Sequence, residues 1–171
     1  MVRLVTGEES LRHLFAGLIE DIFHVELGVP SPSVVDYLTE LLMRFARIEQ
    51  NYKWRSLEGE RLKEITDLLQ QATVCEEDFP KREMHRHIGD FTLFWSSVYP
   101  EALKVLKAPD RKDSLINYRQ QGQASYHIAS SFREERFQEE APILEQLSEE
   151  FDLFSYGLNC VRKEWDLMAA G

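Results

Sequence analysis

The feature that most constrains the fold is the apolar pattern that follows Pro142. Large apolar side chains recur there at intervals of three or four residues, and Pro142 suits the first turn of a helix because its missing N–H would have no partner there. The spacing therefore predicts one long last helix with a single apolar face. That face consists of Leu144, Leu147, Phe151, Phe154, Leu158, Val161, Trp165 and Met168.

The width of this face indicates how the helix is used. Leu153, Cys160 and Leu167 flank the main row, so the apolar surface is wider than the narrow seam of a two-chain coiled coil. A wide apolar surface favours burial inside a helical bundle. A homodimer interface is the alternative interpretation of the same row.

The start of the chain shows the same helical spacing. A first helix is predicted from about Glu8 to Leu27, and Gly28 and Pro30 are typical of its end. The apolar residues that share one face of this helix are Leu11, Phe15, Leu18, Ile22 and Val25.

Two further helices are predicted before residue 75. Ser33 with Asp36 predicts the N-cap of the second helix, and Ser56 predicts the cap of a third helix, roughly Leu57 to Thr73, which Gly59 weakens at its start. The apolar face of the second comprises Val34, Leu38, Leu41, Phe45, Ile48 and Tyr52. The face of the third comprises Leu62, Ile65, Leu69 and Ala72.

The middle of the chain adds three more helical segments. Pro80 suits the first turn of a fourth helix that runs to about Val98, and a short helix is predicted from about 100 to 107. Asp110 or Asp113 is predicted to cap a long helix that continues through Arg136. No segment alternates like a strand, so the fold class is all-α, a single-domain helical bundle of about six to seven helices over residues 1–171.

Length, charge and cysteine content narrow the classes of function. The chain has 171 residues and a formal net charge of −10, which argues against a nucleic-acid partner. Cys75 and Cys160 lack the spacing of a zinc site or a disulfide framework. The sequence shows neither a secretion signal nor a membrane span, and we therefore expect a cytoplasmic protein.

One polar cluster is predicted between the fourth and the long helix. His87 lies on the apolar face of the fourth helix, and Asp90 is within reach of both His87 and Arg86. Gly122, Ser125 and Ala129 form a small-residue groove on the long helix, into which the bulky side chains Phe91, Phe94 and Trp95 are expected to settle. If the two helices meet there, the cluster is completed by Tyr118, Gln121 and Ser125.

This cluster has two interpretations. An Asp that orients an imidazole serves general-base catalysis or metal ligation, and it also satisfies a buried structural histidine. The structural interpretation is favoured because no second pair of ligands lies nearby. Outside the cluster, His13 and His24 lie roughly 16 Å apart along a helix, which is too far for a shared metal ion. The sequence also lacks a Gly-x-Ser-x-Gly elbow and a phosphate-binding glycine loop.

Some segments resemble known proteins. The stretch His87 to Phe94 followed by Val98 to Glu101 is similar to a segment of a set of bacterial helical proteins of unknown function. Residues 37–42, and Tyr118 with residues 122–126, resemble other parts of the same set. This resemblance implies a fold type without an activity.

A shorter segment, Arg86 to Thr92, resembles the distal helix of heme oxygenases. Phe94 and Trp95 stand where that family has small residues, and His13 and His24 are the available upstream histidines.

The leading hypothesis is a non-catalytic helical protein that acts through a protein partner or as a homo-oligomer, without cofactor, metal, nucleic acid or membrane. The alternative is a helical bundle that binds a small ligand or cofactor, heme-oxygenase-like at most, between residues 81–98 and 112–136. Its pocket would be lined by Arg86, His87, Asp90, Tyr118, Gln121 and Ser125.

Overall fold

Helices make up the regular structure of the described part of the chain. The computed structural model describes residues 7–58 and 64–171, with the backbone alone for 46–58. Over these residues it contains eight α-helices and no strand, so the predicted all-α class is confirmed and the helix count is slightly higher than expected. The α-helices are α1 (Gly7–Ile19), α2 (Pro32–Glu58), α3 (Ile65–Val74), α4 (Asp78–Ser97), α5 (Leu103–Leu106), α6 (Tyr118–Ser130), α7 (Ala141–Glu149) and α8 (Phe151–Ala170).

The described residues fall into two compact units. The first takes its residues from Met1–Glu60 and Gly157–Gly171, and the second from Arg61–Tyr156. Helix α8 is continuous, beginning in the second unit and ending in the first. The extent of the predicted single domain, residues 1–171, stays a prediction.

The first helix departs from the prediction at its C-terminal end. Residues Glu20–Glu26 form a π-helix, in which the Leu27 amide donates to the Ile22 carbonyl five residues earlier. This wider turn changes the period of the helix, so Phe23 is buried and Val25 is 73% exposed. The prediction that Val25 lies on the buried face was therefore wrong. Gly28 ends the segment with a φ of 70°, as its position predicted.

Two predicted helix starts were also wrong. Pro32 occupies the first turn of α2, and the hydroxyl of Ser31 accepts from the Val34 amide at 3.4 Å, so Ser31 replaces Ser33 at the cap. Ser56 lies inside α2 and does not begin a new helix. Val34, Leu38, Leu41 and Phe45 are buried as expected, whereas the side chains of Ile48 and Tyr52, and residues Gly59 and Leu62, lie outside the described residues.

The predicted long helix through Arg136 is shorter at both ends. The side chain of Asn117 caps α6 by accepting from the Gln120 amide, in place of Asp110 or Asp113. At the other end, the hydroxyls of Ser130 and Ser131 donate to carbonyls of the last turn and so compete with further helix. A 3-10 turn over Glu135–Phe137 follows.

The predicted last helix is two helices that meet at Glu150. The Ser148 hydroxyl donates to the Gln123 carbonyl at 2.8 Å, and the Gln123 side chain donates to the Ser148 carbonyl at 3.4 Å. These bonds to α6 supply a partner for a carbonyl at the end of α7. The apolar row is nevertheless buried from Leu144 to Val161, whereas Met168 is 56% exposed.

Candidate functional site

The predicted meeting of the fourth and the long helix is confirmed, because α4 and α6 pack closely against each other. A Cβ atom placed on Gly89 would lie 2.6 Å from the Tyr126 ring, and one on Gly122 would collide with the Thr92 hydroxyl and the Phe151 ring. Gly89 of α4 contacts Tyr126 of α6, and Thr92, further along α4, contacts the earlier residue Gly122. The two helices are therefore antiparallel. The two glycines permit an approach that larger residues would prevent.

The groove on α6 receives different residues from those predicted. Gly122 faces Thr92, and Gly89 faces Tyr126, so the close contact runs along the small side of α4. Phe91, one of the bulky side chains expected in the groove, instead packs edge-on against Tyr118 with ring centroids 6.1 Å apart.

Asp90 is buried and bonded to a residue that the sequence analysis missed. Its exposed fraction is 1%, and its carboxylate accepts a hydrogen bond of 2.7 Å from the hydroxyl of Tyr126. Tyr126 is itself fully buried and packs its ring against Gly89. The bond therefore lies inside the α4–α6 contact and supplies a partner for both polar groups.

Ser125 and Gln121 are brought together, and their neighbour on α4 is His85. Gln121 Nε2 donates to Ser125 Oγ at 3.0 Å, and His85 Nδ1 lies 3.2 Å from the same oxygen. Burial, and then the charge of Lys81, lowers the pKa of His85 from its ordinary value of 6.5. A neutral His85 can accept the serine proton at Nδ1, while the serine oxygen accepts from Gln121, so the chain of bonds is complete.

Tyr118 is held by a residue outside the predicted cluster. Its hydroxyl donates to Asp113 Oδ2 at 2.7 Å. Burial, with this bond to a carboxylate as the second cause, raises the pKa of Tyr118 far above its ordinary value. The phenol is therefore protonated at neutral pH and acts as a donor to Asp113.

Arg86 and His87 are half-buried at the side of α4. Arg86 donates to Glu83 at 2.8 Å, and the His87 ring lies 6.1 Å from that of Phe91. The arginine that is deeply buried here is Arg82, at 4% exposure. Its guanidinium pairs with Glu83 at 2.7 Å and with Glu140 at 2.9 Å.

Aromatic rings complete the surroundings of Arg82. Its guanidinium lies 4.2 Å from the centre of the Phe137 ring, which stacks on Phe79 at 6.0 Å. Arg136 covers Phe79 from 4.8 Å. These cation–π contacts and the two carboxylates stabilise a buried charge, which is a structural role.

Asp113 is buried and accepts four hydrogen bonds. Its carboxylate accepts from the amides of Ile65 and Thr66 at 3.0 and 2.9 Å, from the Thr66 hydroxyl at 2.8 Å, and from Tyr118. Ile65 and Thr66 are the first residues of α3, whose N-cap residue Glu64 makes no capping bond with its own side chain. Asp113 therefore caps a helix that begins 48 residues earlier in the chain.

Glu64 returns the interaction. Its carboxylate accepts from the Lys112 amide at 2.8 Å and pairs with Arg111 at 3.2 Å. The Lys112 ammonium in turn donates to Asp67 at 2.7 Å. We call residues 64–67 and 111–113 with Tyr118 the reciprocal cap, because each segment supplies a side chain to the backbone of the other.

Because of these contacts, the main polar groups of the predicted cluster are enclosed and already hydrogen-bonded, so they are poorly placed to act on a substrate. Ser125 is fully buried, and Asp90 and Asp113 accept hydrogen bonds from protein donors. A cleft of about 250 Å³ lies between the end of α6 and the start of α7. None of the six predicted pocket residues lines this cleft. Within the described ranges, no group of three or more His, Cys, Asp or Glu is arranged to hold a metal ion, and His13 and His24 are both exposed.

Comparison with models of protein families, with curated proteins and with solved structures finds no match. The resemblances to bacterial helical proteins and to heme oxygenases therefore stay predictions. Across residues 7–58 and 64–171, no helix combines the length and the apolar character needed to cross a membrane.

The residues that the sequence analysis missed carry a partial signal. His85 lies four residues before Gly89, and Thr92 three residues after it, so the three share one helix face. The small residue in the middle of that face marks where another helix approaches. Asp113 and Glu64 carry no comparable signal, because each makes its bonds with residues far away in the chain.

Proposed function

We propose that this chain is a non-catalytic helical protein that acts through protein contact, including contact with a second copy of itself. The observation that carries the proposal is the exposure of large apolar side chains on α8. Tyr156 is 61% exposed, Leu167 68% and Met168 56%. Isolated apolar residues are common on protein surfaces, but Tyr156 and Leu167 lie within about 20° of each other around this 20-residue helix, on one side that association would remove from water.

The arrangement of polar groups supports the same proposal. Asp90, Tyr118 and Ser125 are buried, and each is hydrogen-bonded to another side chain. A catalytic base or nucleophile must reach a substrate, whereas these groups are enclosed and satisfied. We further expect a cytoplasmic location, which agrees with Cys75 and Cys160 both being free thiols.

Native mass spectrometry of the freshly purified protein, compared with its denatured mass, tests the proposal. A dimer or higher multiple without added mass is the expected result. A bare monomer at every concentration, combined with the failure of any protein partner to co-purify, would overturn it. Excess mass on each subunit would instead favour the alternative, a small ligand bound between α4 and the segment 112–136.

A further inference from the structure

The surface of α8 carries a row of side chains that is symmetric about Cys160. The row, which we call the α8 stripe, consists of Leu153, Tyr156, Cys160, Glu164 and Leu167. The intervals between its members are three, four, four and three residues, so the pattern reads the same in both directions. At about 100° per residue, all five lie within roughly 40° of the direction of Cys160.

The stripe faces away from the core. Phe154, Leu158 and Val161 are buried on the other side of the same helix. Tyr156 and Leu167 are exposed, Glu164 is exposed, and Leu153 and Cys160 are half-buried. Four of the five members are therefore apolar or weakly polar side chains with surface left to bury.

We propose that the α8 stripe is a twofold interface with a second copy of this chain, in which the two α8 helices pack antiparallel about Cys160. This inference rests on the proposed function and specifies its surface. The twofold axis places Leu153 against Leu167 of the second copy, and Cys160 against its own counterpart. An isologous interface requires a self-complementary surface of this kind.

Charge selects the antiparallel arrangement. With the helices antiparallel, the Tyr156 hydroxyl of each copy meets the Glu164 carboxylate of the other and donates to it, twice per dimer. With the helices parallel and in register, the two Glu164 carboxylates would face each other and repel. The only charge in the stripe thus has a partner in one orientation and a like charge in the other.

The small size of the surface determines how the dimer behaves. A contact made by one helix from each copy belongs to the low end of interface sizes, which is typical of weak and transient complexes. We therefore expect the fraction of dimer to rise with protein concentration over the micromolar range. Covalent trapping is the appropriate test for such a dimer.

Cys160 provides the trap. When two helix axes lie about 10 Å apart, facing Cα atoms are roughly 5.4 Å apart, within the range that a disulfide spans. The Cys75→Ser variant keeps Cys160 as its single thiol. Mild oxidation of this variant is expected to give a disulfide-linked dimer on a non-reducing gel, with a yield several-fold above that of a control. The control is Cys75→Ser with Cys160→Ser and Asp166→Cys, whose exposed thiol lies about 120° from the stripe.

A second variant tests the orientation. In the background without native cysteines, Leu153→Cys with Leu167→Cys should form disulfides between position 153 of one copy and position 167 of the other. Peptide mapping identifies the pairing, and 153–153 or 167–167 links as the main products would overturn the antiparallel arrangement. Leu167→Glu, at an exposed position, should abolish trapping at Cys160 while its circular dichroism spectrum stays unchanged.

The outcomes separate the inference from the proposed function. Preferential trapping at Cys160 with 153–167 links supports both. A dimer by light scattering whose Cys160 traps no better than the Asp166→Cys control overturns the α8 interface and leaves self-association standing on another surface. A monomer by light scattering at every concentration, with equal trapping at the two positions, overturns the interface and self-association together.

Discussion

Replacing Asp113 with Ala removes the carboxylate at the centre of the reciprocal cap. Four donors lose their acceptor: two backbone amides at the start of α3, the Thr66 hydroxyl and the Tyr118 hydroxyl. The Ile65 amide and the phenol are buried, and a buried donor without a partner costs about 1–3 kcal/mol. Loss of a helix cap adds about 1 kcal/mol.

These losses do not add fully, because the donors share one acceptor and the site relaxes. We therefore expect Asp113→Ala to lower the free energy of unfolding by about 3–5 kcal/mol. Asp113→Asn keeps the shape and one acceptor oxygen, but its amide group faces two donors, and we expect about half of that loss. The loss from Asp113→Ala is a large fraction of the stability of an ordinary domain.

Urea unfolding followed by circular dichroism measures the effect. Asp110→Ala is the matched control, because Asp110 is exposed three residues away, and we expect its effect to stay within about 0.5 kcal/mol. A double-mutant cycle of Asp113→Asn with Tyr118→Phe should show a coupling of about 1 kcal/mol or more. If Asp113→Ala were as stable as Asp110→Ala, the reciprocal cap would contribute nothing and the reasoning would be refuted.

Three further predictions concern the α4–α6 contact and the first unit. Gly122→Ala should destabilise the protein by about 1–3 kcal/mol despite its gain in helix propensity, because the added Cβ collides with neighbouring side chains. Gly17→Ala, where a Cβ meets open space, should stabilise the protein by about 0.5–1 kcal/mol. Thermal unfolding of the two variants measures both effects. The pKa of His85 is lowered in the folded state, so the unfolded chain binds a proton at this residue at a higher pH than the folded protein does. The free energy of unfolding should therefore decrease as the pH is lowered through about 6.5. His85→Gln should weaken that fall, and identical urea midpoints against pH in both proteins would count against it. Tyr126→Phe leaves the buried Asp90 carboxylate one donor short and should cost about 1–3 kcal/mol in urea unfolding; an unchanged midpoint would contradict this.

Helical periodicity predicted most of the core correctly. Val34, Leu38, Leu41 and Phe45 of the second helix are buried, and so are the members of the last row from Leu144 to Val161. These predictions held because burial of an apolar face requires only that the residues recur with the period of the helix. Where the period itself changes, as in the π-helix before Leu27, the prediction for Val25 failed.

The candidate site was predicted at the right helix pair but with partly different residues. The sequence indicated that α4 meets the small-residue groove of α6, although through aromatic residues of α4 and not through Gly89 and Thr92. It correctly brought Gln121 and Ser125 together. It selected His87, whereas His85 contacts Ser125. The two histidines lie about 160° apart around the helix, so the side of α4 that packs against α6 decides which one is enclosed. Gly89 marks that side, because the Tyr126 ring of α6 lies against it.

The sequence by itself determined the all-helical class, the break at Gly28, the apolar rows and the absence of a recognisable catalytic motif. These properties depend on residues within a few positions of one another, where spacing and backbone preference act directly. Only the tertiary structure decided that Asp113 caps α3, that Asp90 bonds to Tyr126, and that the last helix divides at Glu150. Each of those outcomes depends on a hydrogen bond between segments distant in the chain, and such a partner exists only after packing has brought the segments together.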